Sequence, residues 1–226
     1  MSDNTLLAIE NVTKRFGGVV AIDDLDLAVR DGECLGLIGP NGAGKSTLIN
    51  LISGRFAPTA GTITFDDEDI TDLSPHEVAN RGIARTFQTV RHFEQFPVSL
   101  NIAMGTFENS LRAGHTFTSA IRNGDTGTAE AVGRVATELG IDEATVEAVP
   151  SDLSHLDRTK VSLARVLVRE PDLILLDEPF AGLTAEERES LAESVEKLKE
   201  RGKTVVLIDH NVELVSRLAD RLAVLQ

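Results

Sequence analysis

The chain has 226 residues, a hydrophobic content of 42% and a formal net charge of −14 at pH 7. That length can bury one large α/β domain, or a core with a smaller lobe. The acid excess argues against a nucleic-acid clamp, because a phosphate backbone demands a basic surface. No apolar run approaches the ~20 residues of a membrane-spanning helix. The polar start Met1-Ser2-Asp3-Asn4 lacks the basic region of a secretory signal, and the single Cys34 has no internal disulfide partner. A cytosolic protein is expected, with Cys34 a packed strand residue. The cations are 16 Arg and 6 Lys, a balance that suits a high-salt cytosol, with a GC-rich mesophile as the rival. A sharp loss of stability in low salt would favour the first.

In chain order, Leu6 to Val12 alternates apolar and polar residues as a half-buried strand does, and Leu25, Leu27 and Val29 repeat the pattern before the Asp31-Gly32 turn. Glu33 to Ile38 reads as a short buried strand. Gly39-Pro40-Asn41-Gly42-Ala43-Gly44-Lys45-Ser46 follows, and then a helix from Ser46 to Ile52 that ends near Gly54. Thr62 to Phe65 is a strand after the Pro58–Gly61 turn. Ser74-Pro75-His76-Glu77 is a helix start with a capping box. Ile83 to Phe87 reads as a strand ending at Gln88. Residues 98–155 form helical segments broken by glycine-rich loops, as an inserted helical lobe would. Asp172 to Asp177 is a continuous apolar strand of the kind buried in a parallel sheet. Thr184-Ala185-Glu186-Glu187 opens a charged helix running to about Arg201, and Thr204–Asp209 and Arg221–Leu225 are further strands.

The stretch from Gly39 to Ser46 matches the phosphate-binding loop pattern of Gly, four residues, Gly, Lys, then Ser or Thr, placed between a strand and a helix. Backbone N–H groups and a helix N-terminus there favour an anion, and glycines admit it closely. Lys45 would reach the β- and γ-phosphates, and the Ser46 hydroxyl would ligate Mg²⁺. Leu173 to Glu178 puts two carboxylates where a buried strand meets a loop. Asp177 can hold Mg²⁺, and Glu178 can polarise a water for attack on the γ-phosphate. His210, at the end of the next strand, is a candidate γ-phosphate contact.

Taken in order, these motifs resemble the nucleotide-binding subunit of ABC transporters, over essentially the whole chain. The resemblance implies a P-loop NTPase core with a mostly parallel sheet, an antiparallel β subdomain and an inserted helical subdomain. Residues 1–88 and 156–226 would be the core and 89–155 the helical part. It implies that Phe16 stacks on adenine, that residues Gly39 to Thr47 (Gly39, Pro40, Asn41, Gly42, Ala43, Gly44, Lys45, Ser46 and Thr47) hold ATP, and that Gln88 meets Mg²⁺ and the membrane subunits. Ser154 would belong to the signature that closes over the ATP of a second subunit. Lys14–Gly18, Gly82–Gln88 and Ala181–Leu183 further resemble branched-chain amino acid uptake ATPases, with importers of urea and other amides as similar relatives. The implied partners are transmembrane permease subunits, a second ATPase and, indirectly, a solute-binding protein, and the implied place of this chain is the cytoplasmic face of the membrane, as a peripheral subunit. The segment from Arg91 to Pro97, with Phe93 and Phe96, is expected to line the groove for a membrane coupling helix.

One departure stands out. The family's signature is Leu-Ser-Gly-Gly-Gln, and this chain has Leu153-Ser154-His155-Leu156-Asp157. His155 and Leu156 put side chains where glycines would let backbone N–H groups approach, and Asp157 brings negative charge toward a triphosphate. A heterodimer with an ATPase carrying an intact signature is therefore favoured over a homodimer. A weakly hydrolysing regulatory module and a non-transport ABC ATPase are the alternatives.

Overall fold

The computed structural model describes residues 4–86, 92–106 and 126–226. The chain divides into two compact units, one formed by Met1–Arg85, Asp172–Pro179 and Leu198–Gln226, the other by Thr86–Pro171 and Phe180–Lys197.

The first unit begins with a hairpin of β1 (Thr5–Phe16) and β2 (Val19–Arg30), on which β4 (Ala60–Phe65) and the two-residue β5 (Glu68–Asp69) complete an antiparallel sheet in the order β2-β1-β4-β5. Leu7, Ile9 and Val12 of β1 face the core. The register shift between Ile9 and Val12 explains the three-residue step in that pattern. A bulge inserts one residue and returns the next apolar side chain to the buried face. The hairpin outlasts its alternation, since pairing continues to Phe16↔Val19 after the buried positions run out.

The second sheet is parallel, in the order β6-β7-β8-β3-β9, made of β6 (Ile83–Arg85), β7 (Leu173–Asp177), β8 (Thr204–Ile208), β3 (Cys34–Ile38) and β9 (Arg221–Val224). Every residue of β7 and β8 is buried, which accounts for their unbroken apolar runs. Helices α1 (Lys45–Ile52), α2 (Pro75–Asn80) and α8 (Val212–Leu218) belong to this unit. Leu48, Ile49 and Ile52 of α1 share one apolar cluster with Leu7 and Ile9 of β1, Ile63 of β4, Leu35 and Leu37 of β3 and Val206 and Ile208 of β8. That shared core fixes the phosphate loop against both sheets. The thiol of Cys34 is buried, and burial pushes its pKa up to about 12, so it packs as an apolar side chain. The Ser74–Glu77 capping box forms as the sequence implies.

The second unit holds α3 (Val98–Ala103), α4 (Thr126–Glu138), α5 (Glu143–Glu147), α6 (His155–Leu167) and most of α7 (Ala185–Glu200). Helix α3 packs against α4, α5 and α6. Its Asn101 is fully buried. The side chain accepts from the Phe93 N–H at 2.9 Å and donates to the carbonyls of Phe93, Phe96 and Pro97 at 3.2, 3.0 and 3.1 Å. One amide thus folds the loop that presents Phe93, whose ring is exposed.

Candidate functional site

Three neighbouring parallel strands carry the sequence motifs at their C-terminal tips. In register, Leu37 of β3 pairs with Ile208 of β8, and Ile208 pairs with Asp177 of β7. The Gly39 loop, the Asp209-His210 step and the Asp177-Glu178 step therefore leave the sheet at the same level. The carboxyl edge of a parallel sheet is where ligands of such folds bind.

In the loop, Gly42 and Gly44 have φ of 86° and 93°, a region an L side chain enters only with strain. A Cβ on Gly44 would also sit 2.6 Å from the Ala21 carbonyl oxygen, whereas one on Gly42 would meet nothing within 4 Å. Gly44 is thus required for space and conformation, Gly42 for conformation alone. No side chain caps the start of α1, in contrast to the helices begun by Asp142, Ser154 and Asn211, whose side chains accept a backbone N–H. The first N–H groups of α1 are thereby left for an anion. The Lys45 ammonium is nearly buried and donates to the carbonyls of Gly39 and Pro40 at 2.7 and 2.9 Å. It lies across the loop, where a phosphate oxygen would compete with those carbonyls for its protons. A cavity of about 570 Å³ opens beside the loop, bordered by Val20, Ala21, Asn41, Gly42 and Ala43 among others. These features fit a polyphosphate.

Asp177 is 5% exposed and accepts from the Arg85 guanidinium, Nη2 to Oδ2, at 2.8 Å. The other arm of that guanidinium, Nη1, donates to Asn50 Oδ1 at 2.7 Å and Ser53 Oγ at 3.3 Å. Arg85 therefore ties the acidic strand tip to the end of the phosphate-loop helix. Sequence reasoning missed this role. Its one signal is an arginine closing a short strand, β6, which pairs with β7 at Arg85↔Leu175. Among the described residues no cluster of three or more His, Cys, Asp or Glu side chains could hold a metal ion. Mg²⁺ takes one or two protein oxygens and completes its octahedron with phosphates and water, so it needs no such cluster. Ser46 and Asp177 would hold it there, and the ion would neutralise phosphate charge.

Glu178 stands just beyond β7 with φ of 53°, a conformation that costs a non-glycine residue about 1–3 kcal/mol. Its N–H donates to the Ile208 carbonyl at 2.8 Å, which anchors the turn. The turn brings the Glu178 carboxylate Oε1 within 2.9 Å of His210 Nε2. The two residues assigned to the γ-phosphate from sequence are thus direct partners. Phe16 ends β1 as an exposed residue, at 43%. Phe87, Gln88 and Arg91 lie outside the described residues.

In the second unit, Ser154 caps α6. Its Oγ accepts from the Asp157 N–H at 3.1 Å and donates to Asp157 Oδ2 at 2.7 Å. The His155 ring turns onto the 180–184 segment, with Nε2 3.1 Å from the Ala181 carbonyl, so that nitrogen is the protonated one. The Ser154 hydroxyl proton is therefore already committed to Asp157.

Residues 22–181 match the family model described as ABC transporter. The chain belongs to the ABC transporter family. It is an ATPase cassette of that family. It is 36% identical to a high-affinity branched-chain amino acid transport ATP-binding protein, LivG, of Salmonella typhimurium, over 97% of this chain and 87% of that one. It is 32% identical to the corresponding protein BraF of Pseudomonas aeruginosa, over 97% and 88%. Among solved structures, a nucleotide-free ATP-binding cassette from an ABC transporter superposes with a TM-score of 0.84 at 30% identity, covering 98% of this chain and 87% of that one. The ADP conformation of an ATP-binding cassette gives the same TM-score, identity and coverage.

Proposed function

We propose that this ATPase cassette binds and hydrolyses Mg²⁺-ATP to drive a membrane importer of branched-chain amino acids or similar small solutes. The observation that carries the reading is the alignment of three strand tips, which groups the Gly39–Thr47 loop with Asp177, Glu178 and His210. Lys45 and the α1 N-terminus hold the β- and γ-phosphates, Ser46 and Asp177 hold Mg²⁺ together with Gln88, and Phe16 stacks on adenine. Glu178 takes the proton of the attacking water. His210, hydrogen-bonded to Glu178, orients that carboxylate and contacts the γ-phosphate. The cargo is recognised elsewhere, by permease subunits and a solute-binding protein, and the cassette works at the cytoplasmic face of the membrane. Among the described residues no helix is long and apolar enough to cross a membrane, so coupling runs through docking on permease subunits.

The partner ATPase follows from the signature. Ser154, Asp157 and His155 are engaged within their own unit, which favours a heterodimer whose other member supplies an intact signature over this chain's ATP. Co-purification with the permease subunits, followed by identification of the second ATPase, tests this. Robust cooperative hydrolysis by the isolated protein would refute the heterodimer. ATP-dependent dimerisation with hydrolysis absent even in the complete complex would favour the regulatory module instead.

A further inference from the structure

The connector between α1 and β4 carries an aromatic ring that the nucleotide site described above does not use. Phe56 lies partly buried against the apolar cluster of the first unit. Its backbone N–H and that of Arg55 both donate to the Asn50 carbonyl, at 3.2 and 2.8 Å, so the connector is bound to the phosphate-loop helix itself. The same connector is stitched to the end of β1. Thr59 N–H donates to the Thr13 carbonyl at 2.7 Å, Arg15 N–H to Thr59 Oγ1 at 3.0 Å, and the Lys14 ammonium to the Ala57 carbonyl at 2.5 Å.

On this frame the exposed ring of Phe16 meets Phe56 edge to face, with centroids 5.3 Å apart and planes at 77°. The Lys14 ammonium stands 5.1 Å from the Phe16 centroid and 5.7 Å from that of Phe56, within reach of a cation–π attraction to either. An exposed phenylalanine at a strand end otherwise has broad freedom about χ2. A part-buried ring and a tethered cation remove that freedom before any ligand arrives.

We propose that Phe56 and Lys14 are the fixed half of a base-binding platform whose exposed half is Phe16, held at a set spacing from the phosphate loop by the 53–59 connector. This rests on the reading that Phe16 stacks on the adenine of ATP. Phe56 is a positioning residue. It raises affinity by keeping Phe16 in the competent orientation, and the cost of losing it is the fraction of time the free ring spends elsewhere. An edge-to-face pair is strong enough to shift that fraction by about two- to tenfold.

Equilibrium binding of Mg²⁺-ATP by the isolated protein, with inorganic tripolyphosphate as a base-free probe, tests the proposal. F16A, F56A and F56L should each weaken ATP binding, the Phe56 variants by about two- to tenfold, while F56Y binds as the parent does. K14M should weaken it in the same direction. Tripolyphosphate affinity should not move in any variant, and F56A should cost nothing further in an F16A background. If F16A lowers ATP affinity but F56A and F56L do not, the platform is refuted while the stacking role of Phe16 survives. If F16A leaves ATP affinity unchanged, the stacking role fails and the platform with it. Equal loss of tripolyphosphate binding in F56A would make Phe56 a support of the loop and overturn the proposal.

Discussion

Arg85 is the residue on which the chemistry of the acidic strand tip should depend most. Replacing it with alanine leaves Asp177, 5% exposed, without its 2.8 Å guanidinium partner. The same change strips Asn50 and Ser53 of a donor. Removing one partner of a buried ion pair costs about 3–5 kcal/mol. The Arg85 side chain retains 12% exposure, so water can partly replace it and the low end, about 3 kcal/mol, is expected. At roughly 2–4 °C per kcal/mol for a chain of this size, R85A should lower the thermal midpoint by about 6–12 °C. Most of that cost is the orphaned carboxylate rather than lost packing, so R85A should be much milder in a D177N background. A thermal or urea double-mutant cycle reads the difference. Equal cost of R85A in both backgrounds would refute the argument, as would a midpoint shift under 2 °C.

Gly44→Ala forces a Cβ into the Ala21 carbonyl at a φ of 93°, and should reduce ATP binding at least tenfold in an equilibrium binding assay. Glu178→Gln should retain ATP binding and lower turnover about 10²–10⁴-fold in the assembled complex; normal turnover would exclude Glu178 as the base. Burial, followed by the nearby Arg165 charge, holds the His92 pKa below its ordinary value of 6.5. The unfolded chain therefore takes up the proton first, and stability present above about pH 6.5 is lost as pH falls through the folded pKa. His92→Gln should flatten that acid slope in a series of thermal midpoints against pH. The triple change H155G, L156G and D157Q should raise hydrolysis at the partner's ATP site, measured in the reconstituted complex with E178Q in this chain's own site.

How much of this was legible in the sequence depended on distance along the chain. The phosphate loop, the Ser74–Glu77 box and the apolar runs of β7 and β8 are local patterns, each set by spacing or turn chemistry within a few residues. The Arg85–Asp177 pair spans 92 positions, and its one local sign is an arginine closing a short strand, which does not name the partner. His155 reaches Ala181 across 26 positions; its Cβ in place of a glycine is legible in the sequence, but the direction in which its ring turns is not. Phe56 reads as an ordinary apolar residue until β1 is laid beside the connector. The left-handed backbone of Glu178 was equally hidden, because glutamate gives no sign of tolerating it. The hydrogen bond of its N–H to the Ile208 carbonyl on the adjacent strand helps to hold it there.

Two helix starts in this chain make opposite use of the same physics. Each exposes backbone N–H groups and the positive end of a helix dipole. At α1 no side chain fills that role, and glycines keep the approach open, so the start of the helix is left to an external anion. At α6 Ser154 accepts the Asp157 N–H, and the Asp157 carboxylate in the first turn receives the Ser154 hydroxyl. Such a cap stabilises the helix by about 0.5–2 kcal/mol. It also puts a fixed negative charge where a phosphate would have to come. Bringing a second unit charge to about 4 Å costs about 4 kcal/mol at a near-surface effective dielectric, more than the cap contributes. A triphosphate would therefore meet at the start of α6 a charge that the start of α1 does not present, unless the Asp157 side chain is displaced. Of these two starts, that of α1 carries no side-chain cap and that of α6 is satisfied by its own Ser154 and Asp157, and the proposed pairing with an ATPase that supplies an intact signature rests on this contrast.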